Sequence, residues 1–243
     1  MSEIVYFVAG ASRGIGLEFV KQLVKRDGTV VFAGVRTPSS LESKFDNIPN
    51  NLTILKCDVT SDEEVANCAK VVQAKCGRLD ILINNAGIDN YVTIRQATPH
   101  QLREVLETNL IVPLRVMKAF IPLIEKSTVK KVICISSDFG SIAMNDRKEY
   151  GPYNVSKAGL NMLVVQFKNE YAEDGITFIP MHPGYVNLSC LEAYKQVITD
   201  MTVDEPANIT TFQSVTGMLK VIDNITIEDS GKYLTWEGKI LPW

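Results

Sequence analysis

A short apolar run, Ile4 to Ala9, leads straight into Gly10-Ala11-Ser12-Arg13-Gly14-Ile15-Gly16, after which apolar residues recur at helical spacing through Ile15, Phe19, Val20 and Leu23. A buried strand that turns through glycines into a helix is the opening half of a β-α unit. Glycines at that junction permit a tight turn and close approach to the backbone, and the pyrophosphate of a dinucleotide is the ligand that meets the N–H groups and dipole of such a helix start. An ordinary glycine-rich turn is the simpler alternative, and the rest of the chain has to decide between them.

The same alternation continues. Strands are expected at Thr29 to Val35, Leu52 to Lys56, Leu79 to Asn84, Val129 to Ile135, Ile176 to Met181 and Lys232 to Trp236. Helices are expected near Asp62 to Lys75, Pro99 to Lys126, Pro152 to Ala172 and Ile209 to Ile222, with Pro113 bending the second of these. Repeated β-α units imply one doubly wound parallel sheet with helices on both faces, and no linker or repeat divides residues 1–243 into smaller units. The least regular stretch, Asn187 to Asn208, has the length and position of a binding lid.

Composition narrows the chemistry. A net charge of −3 argues against a nucleic-acid groove or an anionic membrane surface. No segment reaches the roughly 18 apolar residues of a membrane span, and no signal-peptide pattern precedes the first strand, so a cytoplasmic location is expected. Cys57, Cys68, Cys76, Cys134 and Cys190 form no Cys-x-x-Cys, and His100 and His182 are the two histidines of the chain. Neither a disulfide framework nor a metal site nor a Ser-His-Asp hydrolase is expected from these. Tyr153 and Lys157, four residues apart on a helix, share a face, so the ammonium can stabilise a phenolate and bring the phenol toward neutrality as a general acid.

The spacing Gly-x-x-x-Gly-x-Gly, with Asp58-Val59 after the third strand, Asn84-Asn85-Ala86-Gly87 ending the fourth, Asn109 in the long helix, Tyr153 with Lys157, and Pro183-Gly184 after the sixth, resembles the short-chain dehydrogenase/reductase family in both residues and order. The resemblance runs from Ile4 to Trp243. Ser12 to Phe19, His182-Pro183-Gly184 and the segment Leu241-Pro242-Trp243 look like its carbonyl-reductase branch, related to sniffer and C-factor proteins. It implies a single Rossmann-like domain and a tetrad of Asn109, Ser137, Tyr153 and Lys157. Ser137 to Gly140 matches the family's Ser-x-x-Gly, so Ser137 rather than Ser136 is expected to bond the substrate oxygen. The interval from there to Tyr153 is a few residues longer than is common, with Asn145 to Tyr150 as the insertion; Tyr150 is a rival phenol without a lysine four residues later. Lys157 is expected to hold the nicotinamide ribose as well, and Asn109 to support a water that links Lys157 to solvent.

The cofactor site implied by the resemblance comprises Gly10, Ser12, Arg13, Gly14, Ile15, Gly16, Arg36, Asp58, Val59, Asn85, Ala86, Gly87, Tyr153, Lys157, Pro183, Gly184 and Val186. An acidic residue closing the second strand would bind the ribose hydroxyls of NAD. Gly34-Val35-Arg36 stands there instead, and Arg36 with Arg13 can pair with a 2′-phosphate, which points to NADP(H). Asp58 is expected beside the adenine, although an aspartate after a strand can equally cap the next helix. Two departures stand out: Ala9 replaces a usual threonine, and Leu188 occupies the position of a threonine that contacts the nicotinamide amide, with Asn187 or Ser189 as substitutes.

These readings converge on reduction of a ketone or aldehyde by NADPH, with oxidation of a secondary alcohol or a cofactor-sensing role as rivals. Tyr91, Ile142, Met144, Tyr185, Leu191 and Tyr194 are expected around an apolar pocket for a small carbonyl substrate. A homodimer or homotetramer is expected on the two long helices, through Leu102, Val105, Leu106, Leu110, Val112, Val116, Leu160, Leu163, Val164 and Phe167.

Overall fold

Strand β1 (Ile4–Ala9) shows how the sheet is covered on both sides. Val5, Phe7 and Ala9 face one apolar cluster while Tyr6 and Val8 face the other, the two-residue alternation of a strand buried on both faces. The computed structural model describes residues 3–186 and 209–243. The expected lid and the roles placed on Asn187, Leu188, Ser189, Leu191 and Tyr194 lie outside the described residues, as does Cys190.

Seven strands, β1, β2 (Thr29–Val35), β3 (Leu52–Lys56), β4 (Ile81–Asn84), β5 (Lys131–Ile135), β6 (Thr177–His182) and β7 (Leu234–Thr235), form one parallel sheet in the order β3-β2-β1-β4-β5-β6-β7. It is the doubly wound, Rossmann-like sheet that the alternation implies. The chain first builds outward from β1 to β3 and then restarts at β4 on the other side of β1, so the strand order reverses between β1 and β4. Loops leaving the carboxyl ends of strands diverge there and open a crevice.

Helices α1 (Gly14–Leu23) and α7 (Thr211–Asn224) cover one face through Phe19, Val20, Leu23, Val215, Met218, Leu219 and Ile222. The other carries α3 (Asp62–Cys76), α5 (Val112–Ile124) and α6 (Gly151–Glu170), with α4 (Pro99–Leu106) packed on α6. The ends of these helices follow local chemistry. The Ser61 hydroxyl accepts from the Glu64 N–H to cap α3, which stops at Gly77 with φ +73°. Thr98 with Gln101, and Thr210 with Gln213, form capping boxes. No helix among the described residues is long and apolar enough to cross a membrane.

The expected long helix from Pro99 to Lys126 is divided. α4 passes into a π-helical turn, Glu107–Ile111, and only then into α5. Pro113 has no N–H for the Asn109 carbonyl, and the chain responds one residue earlier, where the Val112 N–H reaches back to Glu107 O in an i→i+5 bond. The proline thus widens a turn rather than simply bending the axis. Smaller differences have local causes too: β5 starts at Lys131 because Lys130 takes φ +50°, and a short helix α2 (Pro38–Glu42) begins on a proline. The last strand is shorter than Lys232 to Trp236, since Lys232 is used in a turn to Asp229 O.

Much of the apolar surface expected between protomers lies inside the protomer. Val105, Val112, Val116, Leu160, Val164 and Phe167 are buried, and Leu102, Leu106, Leu110 and Leu163 are half-buried. Ile111, Val155 and Met162 are the large apolar side chains these helices leave exposed.

Candidate active site

The crevice begins at the turn from β1 to α1. Gly10 has φ +76°, and a Cβ there would sit 2.8 Å from Ala86 Cα; one on Gly16 would sit 2.2 Å from Gly10 O. These glycines are close-approach positions, which an ordinary turn would not require. Asn85 Nδ2 donates to Gly10 O at 2.9 Å and so joins the loop after β4 to this turn. The first turn of α1 has neither a side-chain cap nor an acidic residue, leaving its N–H groups and positive dipole end for an anion. Ser12, Arg13, Gly14 and Ile15 form this turn, while the Gly10 and Ala11 N–H groups donate to Gly34 O and tie it to the end of β2.

Arg36 follows β2, and both Arg13 and Arg36 are exposed. Asp58 lies nearby: two hydrogen bonds from Thr60 hold its carboxyl below the usual range, and Arg36 adds to the effect. Ser61, not Asp58, caps α3, and Val59 is buried beside it. The residues at this end fit the pyrophosphate of a dinucleotide, since the helix start is uncapped and the glycines leave backbone accessible.

Asn109 and Lys157, two of the expected tetrad, approach each other at Gly87. A Cβ on Gly87 would lie 3.3 Å from Asn109 Oδ1 and 3.7 Å from Lys157 Nζ. The π-helical turn directs the buried Asn109 amide at the strand-following loop: it accepts from Ile88 N at 2.8 Å and donates to Ile88 O at 2.8 Å and Ser156 Oγ at 2.9 Å. These bonds engage both ends of the Asn109 side-chain amide. Ser136 Oγ donates to Asn161 Oδ1 at 2.6 Å and points away from the cleft, as expected. Ser137 caps a short 3-10 turn, Asp138–Gly140, by accepting from Phe139 N at 3.3 Å.

Lys157 Nζ donates to Ile135 O at 2.8 Å and stands 5.5 Å from the centre of the Tyr153 ring. The electrostatics differ from the expectation of a phenol drawn toward neutrality. Burial pushes the Tyr153 phenol above its ordinary value, opposed by the Ser137 hydroxyl within hydrogen-bonding reach and reinforced by Asp89 and Asp138. Burial also lowers Lys157 to about 8, with Cys134 opposing it. In this arrangement Tyr153 is firmly protonated, the form a proton donor needs.

Lys157 carries a measurable consequence for stability. Its folded-state pKa lies below the ordinary 10.5, so the unfolded chain binds more protons between about pH 8 and 10.5 and stability rises with pH across that window. Below it the folded protein bears the full penalty of a buried ammonium. Lys157→Met is expected to stabilise the cofactor-free protein by about 2–3 kcal/mol at pH 7, with the gain shrinking toward pH 10. Urea denaturation of both proteins at the two pH values checks this, and an identical difference at both would contradict it.

A cluster that sequence reasoning did not single out adjoins Ser137. Ser137 Oγ donates to Asp138 Oδ1 at 3.2 Å, and Asp138 Oδ2 accepts from Arg147 Nη2 at 3.2 Å and from the Tyr185 hydroxyl. Asp138 N donates to His182 Nδ1 at 3.1 Å, which places the proton of the neutral ring on Nε2; burial lowers this histidine, with Asp138 opposing. Arg147 lies 4.3 Å over the Phe139 ring. Phe139, Tyr150, Tyr153 and Tyr185 make an aromatic wall, and Tyr91 meets Tyr150 edge-on. Of the expected pocket residues, Tyr91 and Tyr185 belong to this wall, whereas Ile142, 80% exposed, and Met144 lie at the surface. Pro183 O accepts from Ser214 Oγ, Gly184 turns with φ +80° against Trp236, and Val186 pairs with Ile209.

With strand order, glycine turn and converging side chains together, the architecture is that of a nicotinamide-type oxidoreductase. The short chain dehydrogenase family matches residues 4–199, and the chain belongs to it. An uncharacterized oxidoreductase of Schizosaccharomyces pombe is 35% identical over 248 residues, covering 98% of each chain. An NADPH-bound carbonyl reductase from chicken fatty liver has a TM-score of 0.85 at 35% identity, with 100% of both chains covered. The carbonyl reductase Sniffer of D. melanogaster shares the fold, with a TM-score of 0.87 at 23% identity and the same coverage. Within the family the chain is carbonyl-reductase-like.

Proposed function

We propose that this chain reduces a ketone or aldehyde to an alcohol with NADPH, and the observation that carries the proposal is the convergence of Ser137, Tyr153 and Lys157 beside the glycine turn. The hydride for the carbonyl carbon would come from NADPH held at the glycine turn. The chain's own residues handle the oxygen: Tyr153 delivers its proton as negative charge develops there, and Ser137 steadies that charge by hydrogen bonding. Ser137 has to turn its proton from Asp138 to the substrate to do so. Lys157 supports Tyr153 and holds the nicotinamide ribose, while Asn109 fixes the Gly87-Ile88 backbone around it. The aromatic wall of Tyr91, Phe139, Tyr150 and Tyr185 suits an apolar or aromatic carbonyl. Purified protein with NADPH should consume cofactor on some members of a panel of aldehydes, aromatic ketones, diketones and quinones. Activity on none would count against reduction.

The same reading makes Arg36 a discriminator for the extra phosphate. Arg36→Asp removes a guanidinium, places a carboxylate beside the 2′-phosphate and offers that carboxylate to the ribose hydroxyls of NADH. A charge-assisted hydrogen bond contributes roughly 1.5–3 kcal/mol, so NADPH affinity should fall by about tenfold or more, with Arg13 retaining part of the preference. Dissociation constants for NADPH and NADH with both proteins test this; an unchanged ratio, or equal wild-type affinities, would overturn the NADP assignment.

A further inference from the structure

The segment Leu241-Pro242-Trp243, singled out in the sequence, lies against the turn that carries Ser137. Ser141 Oγ donates to Pro242 O at 2.8 Å, and Ala143 N donates to Trp243 O at 2.8 Å. Leu241 N donates to Tyr233 O at 2.8 Å, and the Tyr233 and Trp243 rings stack with centres 5.3 Å apart and planes 20° from parallel. The almost fully buried Tyr233 in turn donates its hydroxyl to the backbone oxygen of Ser137, the same oxygen that accepts from Gly140 N at 2.8 Å. The serine turn is thus gripped on two sides. Asn161 of α6 donates to Gly140 O at 3.2 Å from below, and a Cβ on Gly140 would stand 2.8 Å from the Lys157 backbone. The tail and Tyr233 hold the other side.

We propose that Leu241-Pro242-Trp243 and Tyr233 act as a positioning strap for Ser137, holding the serine turn at the distance from Tyr153 and Lys157 that the reaction needs. The proposal rests on the assignment of Ser137 to the substrate oxygen. α6 fixes Tyr153 and Lys157 through its own helix, whereas Ser137 stands on a single 3-10 turn followed by the surface residues Ile142 and Met144. A turn of that kind has little internal stiffness, and hydrogen bonds to a distant segment substitute for it. Misplacing a reacting group by about 1 Å can cost on the order of a hundredfold in rate. The strap touches none of the glycine turn, so its loss acts on catalysis and leaves cofactor binding alone.

The test compares wild type, a chain ended at Ile240, Tyr233→Phe and Trp243→Phe, each also combined with Ser137→Ala, using NADPH and a carbonyl that wild type reduces. Ending the chain at Ile240 should lower kcat by about tenfold, Tyr233→Phe by a few-fold, and Trp243→Phe, which keeps a stacked ring, by less than about twofold. NADPH affinity should stay within about twofold throughout, and amide exchange at Gly140 and Ser141 should quicken in the shortened chain. In the Ser137→Ala background the strap changes should have almost no further effect, because the group they position is gone. A merely structural tail would lower kcat equally in both backgrounds, and that result overturns the proposal. If Ser137→Ala slows reduction while the strap variants do not, the strap alone is refuted; if Ser137→Ala has no effect, the serine assignment falls and the strap falls with it.

Discussion

Tyr153→Phe is expected to remove nearly all carbonyl reduction while NADPH binding changes little. The substitution keeps the ring, and with it the edge contact to Phe139, whose centre lies 5.9 Å away. It removes one hydroxyl. The phenol is raised by burial, so it remains protonated across the neutral range and is available as the donor when the carbonyl oxygen gains charge. Loss of a general acid costs about 10²- to 10⁴-fold. Ser137 offers a hydrogen bond in the same place, but giving its proton to the substrate would leave a buried alkoxide beside the Asp138 side chain. Steady-state rates beside a fluorescence titration of NADPH separate the two functions. A variant turning over near the wild-type rate would show that the proton comes from elsewhere.

Gly16→Val is expected to act at the other end of the crevice. An added Cβ would meet Gly10 O at 2.2 Å and Asn85 Nδ2 at 2.5 Å, so the bond from Asn85 to Gly10 O cannot survive unchanged. The β1–α1 turn must open, and the N–H groups of α1 move away from the pyrophosphate they would bind. Overpacking of this kind costs roughly 1–3 kcal/mol, corresponding, where it falls on the bound state, to about five- to 150-fold in NADPH affinity before the branched side chain adds its own bulk. Calorimetric titration measures it. Unaltered affinity would mean that the glycine turn is a packing device and not a cofactor cradle.

The parts of this architecture that depend on local chemistry were legible in the sequence. Ile4–Ala9 alternates between two cores, Gly14–Leu23 follows helical spacing, and Tyr153 and Lys157 share a helix face because four residues nearly complete a turn. Pro113 signalled an irregularity at the right place, but its form could not be read, since widening to a π-helical turn is one of several ways to accommodate a missing N–H. The cluster around Ser137 was illegible for a different reason. Asp138 meets Tyr185 across 47 positions, and Ser141 meets Pro242 across 101, so neither contact leaves a periodic trace. The pKa values also escaped sequence reasoning: an i,i+4 lysine implies a lowered phenol, yet burial of the phenol, with Asp89 and Asp138 adding to it, raises it instead. The pairing of Arg147, from the stretch Asn145 to Tyr150, with buried Asp138 likewise required the fold.

In the proposed reaction, hydride from NADPH and a proton from Tyr153 are added to one carbonyl group at this site. A single-turnover experiment tests it most directly, with stoichiometric NADPH bound to the protein, a carbonyl substrate from the panel added, and both cofactor absorbance and product followed. One NADPH should be lost for each alcohol formed in wild type, with almost no reaction in Tyr153→Phe despite equal NADPH occupancy. Cofactor that stays reduced in wild type with every carbonyl supplied, or alcohol formed at the same rate by Tyr153→Phe, would contradict it.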